Sequence, residues 1–491
     1  MNYRIISKLL GMILATLDIT FLASITISAF YWDDPREQNA LHGWMLSMGI
    51  TSMLMACLFF IGKKGRNRIL RKEALCSIGL GWVLASLTGA LPYLLIVENC
   101  SLSNAIFEST SGLTTTGASV FADIESFPRS LLFWRCMSQW IGGLGVVVFF
   151  VAILSFLGAG AKILYSHESS AQASDMDASR IQKGILSILG TYLFLSLISA
   201  IFYYLAGMDP FNATCYMFTS ISTGGFATYN EGVAAFHNPA VEWAMIIVMA
   251  IGGTNFFFLI RIFQRKWHEL TSNEEVNIYY LIILVFSLAI TSILFIDYQE
   301  IPLDRDIRLA FFQVISIITT SGYSSVDFQQ WPPVCHALLL ILMIIGGCSG
   351  STAGGLKIIR IIVAIKTCFL DILKSFRPRL VRPIHYNKNV LDRVTTEKIM
   401  TYVVQITGIF CIGLTILSLF EFNVSFEGIF STMTSCLFNI GPGFAEVGPS
   451  QNYDFYHDHT KIFLSLIMIM GRLELYAILA LFTASLWKRF S

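Results

Sequence analysis

The chain has 491 residues, of which 55% are hydrophobic and 13% are charged, and its formal net charge is +1. Because soluble domains carry about 25% charged residues, this composition excludes an ordinary soluble protein. Basic runs with interleaved aromatic residues are absent from the sequence, so a nucleic-acid partner is not expected. The ten cysteines and eight histidines show no zinc or disulfide spacing, although Cys100 and Cys335 could pair.

Ten apolar runs approach or exceed the ~20 residues that are needed to cross a bilayer. The first run follows Arg4 and Lys8 as a secretory signal would, but it is longer than a signal core and no clear cleavage site follows it. We therefore expect a retained first helix and an all-α polytopic membrane protein. The predicted spans lie near residues 9–31, 43–62, 76–96, 131–157, 184–206, 240–262, 277–296, 334–365, 399–420 and 461–487.

Charged residues predict the orientation of these spans. Most of the 33 lysines and arginines fall in every second connecting segment, above all in 63–72 and 357–398. Because basic segments stay in the cytoplasm, both termini are expected there, and the basic clusters fit anionic lipid head groups. The opposite segments are acidic, and such a field concentrates cations at an entrance. Ordinary solvated loop charge explains any single acidic residue equally well.

Short polar strings interrupt the hydrophobic pattern four times, once in every unit of roughly a hundred residues. The second residue of each string is polar, and a hydroxyl residue stands six places before the last glycine (Ser111, Thr219, Ser316 and Ser435). String 1 is Thr114, Thr115, Thr116 and Gly117; string 2 is Ser222, Thr223, Gly224 and Gly225; string 3 is Thr319, Thr320, Ser321 and Gly322; string 4 is Phe438, Asn439, Ile440 and Gly441.

A short apolar segment precedes each string, at 103–113, 211–221, 308–318 and 426–437. Such segments are too short to cross a bilayer and suit re-entrant helices. Non-helical backbone at membrane depth must be buried in protein or line water, so we expect the four units to close around one axis. Backbone carbonyls in such a ring can replace the hydration shell of a cation, and glycine adopts the required backbone angles. The pattern predicts a cation pore.

This reading divides the chain into an N-terminal helix pair and four pore repeats. The pair occupies residues 1–70, and each repeat consists of a helix, a re-entrant pore loop and a second helix around a pseudo-fourfold pore. The repeats are predicted at 71–183, 184–270, 271–395 and 396–491.

A run of ten small residues lies in the middle of the predicted span 334–365 and comprises Gly346, Gly347, Cys348, Ser349, Gly350, Ser351, Thr352, Ala353, Gly354 and Gly355. Each glycine in a helix interior costs about 1 kcal/mol relative to alanine, so this run disfavours a stiff helix. Close packing between helices is the alternative, because small residues favour it in membranes. Packing motifs space their glycines by four, however, whereas this run is unbroken.

Charged residues within spans usually face a cavity or a partner, because they are expensive in a bilayer. Arg472 stands in the last span, and a structural ion pair, with Glu474 or another residue, is the alternative to a position in the pore. Asp18 and Glu108 are better explained as satisfied polar groups at a helix interface or end. No set of nucleophile and base occurs at membrane depth, so an enzyme is not expected.

At these motifs the chain resembles the Trk/Ktr/HKT superfamily of cation transporters, and within it the bacterial TrkH/TrkG-type subunits. The resemblance runs through all ten predicted spans. One departure is Ser321-Gly322-Tyr323, where Ala-Gly-Phe is more usual in the family. The matching stretches are SGLTTTGAS (111–119), STGGFAT (222–228), TTSGYSS (319–325), GGCSGSTAGGLKIIR (346–360), NIGPGF (439–444) and GRLE (471–474).

The resemblance implies that strings 1 to 4 form a potassium-selective filter, since glycine in all four strings accompanies potassium preference in the family. It further implies that residues 346–355 form an intramembrane gate loop and that Arg472 projects into the pore below the filter. A homodimer in the bacterial inner membrane, bound to a cytoplasmic nucleotide-binding subunit of the TrkA type, is expected. Potassium would be the transported ion, with no organic cofactor. The alternative is a symporter coupled to protons or sodium.

Overall fold

A computed structural model describes residues 1–63, 71–157, 178–265, 272–297, 302–387 and 389–487. In the N-terminal half the helices are α1 (Tyr3–Phe30), α2 (Pro35–Gly62), α3 (Arg71–Gly89), α4 (Leu91–Ile96), α5 (Leu102–Leu113), α6 (Arg129–Leu157), α7 (Ala178–Leu205), α8 (Pro210–Ile221), α9 (Pro239–Gly252) and α10 (Phe256–Phe263). Some basic residues that are predicted to be cytoplasmic lie outside the described residues, namely those at 64–70, Lys162, Lys266, Lys388 and those at 488–489.

In the C-terminal half the helices are α11 (Glu274–Asp297), α12 (Leu303–Ile318), α13 (Pro333–Ile345), α14 (Ile358–Phe376), α15 (Arg393–Phe420), α16 (Phe426–Phe438), α17 (Asp458–Arg472), α18 (Tyr476–Leu481) and α19 (Ala484–Trp487). Among the described residues, 3-10 turns cover Gly232–Phe236, Phe328–Gln330 and Ala445–Val447. Within the described ranges the only strands are β1 (His385–Tyr386) and β2 (Asn389–Val390), which pair antiparallel.

Six of the described spans are long and apolar enough to cross a membrane, and the bent pair α9–α10 makes a seventh if it counts as one span. The six are α1, α2, α3 with α4, α7, α11 and α15. The remaining predicted spans correspond to the 29-residue helix α6 and to the interrupted pairs α13–α14 and α17–α18. The chain is therefore a multi-pass, mostly helical membrane protein, and the total of ten crossings stays a prediction.

Three predicted spans are not continuous helices. The glycine-rich run interrupts 334–365 as expected, but the breaks inside 240–262 and 461–487 were not predicted. Between α9 and α10 the chain bends by 100° where the Asn255 side chain accepts the amide protons of Phe257 and Phe258 and so starts a new helix. After α17 the break lies at Glu474 and Leu475, whose φ angles are 52° and 69°.

The four predicted re-entrant segments are the short helices α5, α8, α12 and α16. Side chains of Ser101, Asp209 and Ser425 cap three of their N-termini by accepting an amide proton three residues later. Helix α12 begins at Leu303, after Pro302, and with 16 residues is longer than predicted. The predicted repeat boundaries at 183 and 395 fall inside the first turns of α7 and α15, so the helix starts lie a few residues earlier.

The N-terminal helix pair is anchored on the first repeat by aromatic packing. The ring centroid of Phe21 lies 4.9 Å from that of Trp134 and 5.8 Å from that of Trp44. Trp44 Nε1 donates to Ser130 Oγ at 3.0 Å. One Asp18 oxygen accepts from Ser52 Oγ at 2.7 Å between α1 and α2, which is the place expected for a polar group at a helix interface.

Candidate functional site

Each short helix ends in the same backbone motif, which places the second residue of its string in the left-handed region. The φ angles are 53° at Thr115, 54° at Thr223, 55° at Thr320 and 55° at Asn439. The amide of the third residue then donates back to the carbonyl of the hydroxyl residue six places before the glycine. These bonds join Thr116 to Ser111 (2.9 Å), Gly224 to Thr219 (2.7 Å), Ser321 to Ser316 (2.8 Å) and Ile440 to Ser435 (2.9 Å).

Helix ends of this kind usually carry glycine at the left-handed position, because other residues are strained there. Here threonine or asparagine occupies it, and the glycine stands two residues later. Since all four units share this displaced pattern, each string leaves its helix in the same direction. The repeat seen in the sequence is therefore also a repeat of backbone conformation.

The four glycines bring the strings together in a closed ring. Their φ angles are 82° at Gly117, 84° at Gly225, 74° at Gly322 and 105° at Gly441, which glycine alone adopts without strain. A Cβ added to any of these glycines would meet the carbonyl oxygen of the third residue in the next string. A Cβ at Gly117 would meet Gly224, one at Gly225 would meet Ser321, one at Gly322 would meet Ile440, and one at Gly441 would meet Thr116. The fourth string thus contacts the first, and the four surround one axis.

Burial within the ring is graded along strings 1 to 3. The hydroxyl and amide side chains of all four strings are at most 1% exposed. Among the glycines, Gly117, Gly225 and Gly322 are partly exposed, whereas Gly441 is buried. The glycine end is therefore the end that solvent reaches, and the deeper residues are enclosed by protein.

Hydroxyl groups brace strings 3 and 4 from behind. Ser316 Oγ donates to the carbonyl of Tyr323 at 2.6 Å, immediately after the third glycine. Ser435 Oγ donates to the carbonyl of Gly441 at 2.6 Å, and Tyr453 donates to the same oxygen at 2.7 Å. These neutral bonds fix the backbone at the glycine end of each string.

A buried ion pair holds the chain that follows strings 1 and 2. Arg135 on α6 and Glu108 on α5 lie 2.6 Å apart with their side chains 2% and 0% exposed. Glu108 also accepts the amide proton of Val120, and Arg135 donates to the carbonyl of Ala227 at 3.1 Å. Glu108 is thus the satisfied polar group that the sequence suggested, but its partner was not predicted.

The glycine-rich loop, residues 346–355, is non-helical and lies against the inner ends of the strings. The Gly354 amide donates to Thr320 Oγ1 at 2.7 Å, and the Gly355 amide donates to the carbonyl of Phe438 at 3.1 Å. Thr352 Oγ1 donates to the carbonyl of Ile221 at 3.0 Å. Because no helix runs through this segment, the alternative of a continuous packed helix is wrong.

Two charged residues that the sequence did not single out hold this loop in place. Glu275, which is 1% exposed, accepts the amide proton of Ser349 at 2.6 Å. Lys357 lies two residues after the loop with φ 74°, and its Nζ donates to the carbonyl of Ala353. A lysine just after a glycine-rich run was the available signal, but the separation of 74 positions between Glu275 and Ser349 concealed the other contact.

Arg472, at the end of α17, also donates to this loop. Its Nη1 donates to the carbonyl of Thr352 at 2.8 Å and its Nη2 to the carbonyl of Gly142 on α6 at 3.2 Å. Glu474 accepts from Arg360 Nη2 at 2.6 Å. The ion pair found at Glu474 is therefore with Arg360, and Arg472 joins the loop to α6.

The structure answers a question that the sequence left open. Cys100 and Cys335 are both free thiols, so the disulfide that the sequence allowed is absent.

Comparison with known proteins decides the family. The TrkH family, described as cation transport proteins, matches residues 45–489. The chain belongs to the TrkH family. It is 30% identical to the Trk system potassium uptake protein TrkH of Halomonas elongata over 100% of both chains. It is 28% identical to the Trk system potassium uptake protein TrkG of Escherichia coli K12 over 99% of both.

The fold agrees with this assignment. The crystal structure of the potassium transporter TrkH from Vibrio parahaemolyticus superposes with a TM-score of 0.85 at 27% sequence identity, covering 99% of this chain and 100% of that one. Members of the TrkH family are transporters, and this chain is accordingly not an enzyme. The resemblance inferred from the motifs is confirmed.

Substitution of the ring glycines by alanine should destabilise the protein in a graded manner. A Cβ at Gly322 would overlap the Ile440 carbonyl, whereas one at Gly441 would lie 2.8 Å from the Thr116 carbonyl. Both changes also carry the cost of positive φ, about 1–2 kcal/mol. Gly322→Ala should therefore lower the melting temperature in detergent more than Gly441→Ala does.

Gly49→Ala is the matched control, because a Cβ there meets nothing within 4 Å. Since alanine favours a helix, this variant should be at least as stable as the unmodified protein. Equal melting temperatures for Gly322→Ala and Gly49→Ala would show that the ring contact is not a constraint.

Proposed function

We propose that this chain is the transmembrane subunit of a Trk-type potassium-uptake system and that potassium crosses the bacterial inner membrane through the ring of strings 1 to 4. The observation that carries the proposal is the cyclic contact between each ring glycine and the next string. Relatives named as potassium uptake proteins support the choice of ion. The proposal keeps both termini in the cytoplasm, as the distribution of basic residues predicts.

Selectivity in this proposal comes from backbone carbonyl oxygens. Such oxygens can replace the water around a cation that enters from the acidic outer surface. The side-chain hydroxyls of the buried strings form hydrogen bonds within the protein, as Thr114 and Thr116 do with each other at 2.7 Å. Glycine at the end of all four strings supports potassium over sodium, as in the family.

The glycine-rich loop and Arg472 form the gate in this proposal. The loop donates hydrogen bonds to the strings and to the helix ends beside them, from Cys348, Thr352, Gly354 and Gly355, and in this proposal it obstructs the path below the ring. Irregular backbone of this kind can open as a local unit, and in this proposal opening requires these separate contacts to break. Arg472 adds a positive charge that discourages a cation from lodging at the same level.

In this proposal, partners regulate the gate, and they act on it through the β1–β2 hairpin. We expect a homodimer, surrounding lipid, and a TrkA-type nucleotide-binding subunit on the cytoplasmic side. The β1–β2 hairpin touches α11, where Asn387 Oδ1 accepts the amide proton of Glu274 at 2.7 Å. The next residue, Glu275, holds Ser349 of the loop. A partner bound near this hairpin would therefore act on the gate through two consecutive residues.

Ion flux into liposomes tests the proposed function. Rubidium should enter potassium-loaded vesicles that contain the purified protein when the outward potassium gradient is the only driving force. Sodium should compete poorly with this rubidium uptake. Gly322→Ser should weaken that discrimination, because its side chain would overlap the Ile440 carbonyl of the ring. Rubidium uptake that requires a proton or sodium gradient would show that the protein is a symporter and not a channel. Equal sodium competition in the unmodified protein and in Gly322→Ser would show that the strings are not the filter.

Arg472→Ala should raise flux through the protein at least tenfold. At an effective dielectric near 20, two unit charges about 4 Å apart repel by roughly 4 kcal/mol, and the substitution removes this barrier together with two hydrogen bonds to backbone carbonyls. Arg472→Lys should stay near the flux of the unmodified protein, since the positive charge remains. Rubidium flux in liposomes measures both variants.

Arg393→Ala provides the control, because Arg393 pairs with Glu397 on the exposed surface of α15. Its flux and melting temperature should both stay unchanged. A destabilised Arg472→Ala protein with unchanged flux would assign Arg472 to structure alone.

A further inference from the structure

String 2 is not braced in the manner of strings 3 and 4. In those strings the hydroxyl six places before the glycine donates to a carbonyl at or after that glycine. The corresponding residue of string 2, Thr219, instead donates to the carbonyl of Cys215 at 3.1 Å and shares a hydrogen bond with the hydroxyl of Tyr323. Another group must therefore fix string 2 at its glycine.

Gln139 on α6 occupies that position. Its Nε2 donates to the carbonyl of Gly224 at 2.6 Å, and its Oε1 accepts the amide proton of Phe226 at 3.0 Å. The side chain is fully buried, at 0% exposure. One primary amide thus holds the residues on both sides of Gly225, which requires a donor and an acceptor on the same flat group.

The backbone of α6 comes close enough for this contact because of two glycines. A Cβ at Gly142 would overlap the carbonyl of Leu113, and one at Gly143 would lie 2.8 Å from Ser222 Cβ. Helix α6 therefore lies directly against the helix ends before strings 1 and 2. Gln139 reaches string 2 from the first repeat, so its bonds cross between repeats.

We propose that Gln139 is a positioning residue for ion selectivity: it holds Gly225 in the ring, and thereby sets the contacts of string 2 with strings 1 and 3. The inference rests on the proposed filter function. A shift of residues 224–226 would move the Gly224 carbonyl that faces Gly117, and also Gly225 itself, which faces the Ser321 carbonyl. Gln139 acts through the backbone and need not touch the ion.

Gln139→Met tests the proposal, because methionine is similarly long and unbranched but makes neither hydrogen bond. Sodium should compete with rubidium uptake about fivefold better in this variant, a change that corresponds to the ordinary strength of one of the two hydrogen bonds that are lost. Gln139→Asn keeps the amide but is one carbon shorter and cannot span Gly225, so it should change selectivity in the same direction.

Trp140→Phe is the matched control on the same helix. It removes the hydrogen bond from Trp140 Nε1 to Ser196 Oγ, which measures 3.0 Å and joins α6 to α7 rather than to a string. A purely structural role for Gln139 predicts that the two Gln139 variants lose stability in detergent without any change in sodium competition. The proposal predicts changed competition in the two Gln139 variants alone.

The possible outcomes distinguish a failure of this inference from a failure of the proposed function. If Gly322→Ser alters sodium competition and folded Gln139 variants do not, the filter stands and Gln139 is not a positioning residue. If neither Gln139 variant yields folded protein, Gln139 serves folding and the proposal is overturned. If the unmodified protein shows no preference for rubidium over sodium, the filter function itself fails.

Discussion

Non-helical backbone inside a membrane must find hydrogen-bond partners within the protein, and the whole architecture follows from this constraint. Strings 1 to 4 leave their helices at a left-handed residue and end at glycines that contact the next string. Each string is thereby enclosed by its neighbours and by the helices behind it. Four units are needed because one string alone would expose its peptide groups to lipid.

Buried charged side chains supply some of the hydrogen bonds that this non-helical backbone needs. Glu108 and Arg135 form a pair that would be costly to break in a low-dielectric interior, and each also binds backbone next to the ring. Below the ring, Glu275, Lys357 and Arg472 all bind backbone atoms of the glycine-rich loop. Charged side chains therefore replace the ladder of hydrogen bonds that a helix would have supplied there.

The features that recur along the chain could be predicted from the sequence. The four strings, the short helices before them and the glycine-rich interruption each have a local cause in residue size or backbone freedom. The asymmetric supports could not be predicted, because their partners are backbone atoms of distant segments. Gln139 and Gly224 are 85 residues apart, and nothing in the spacing of one glutamine indicates a carbonyl partner.

Of the two helix breaks that the sequence analysis did not predict, one had a signal in the sequence and the other had none. The run Gly252-Gly253-Thr254-Asn255 contains two glycines and a capping residue, so the bend between α9 and α10 had a signal in the sequence. The break after Arg472 had none, since Glu474 and Leu475 are ordinary helix formers. There the ion pair between Glu474 and Arg360 accompanies the left-handed backbone. Tertiary contact outweighs local preference at that point.

Anomalous scattering from rubidium in crystals of the protein tests the central claim most directly, since it locates the ion without reference to flux. The account predicts a rubidium peak on the axis enclosed by strings 1 to 4, coordinated by their backbone oxygens. A peak that lies elsewhere in the protein, with no density inside the ring, would contradict the account.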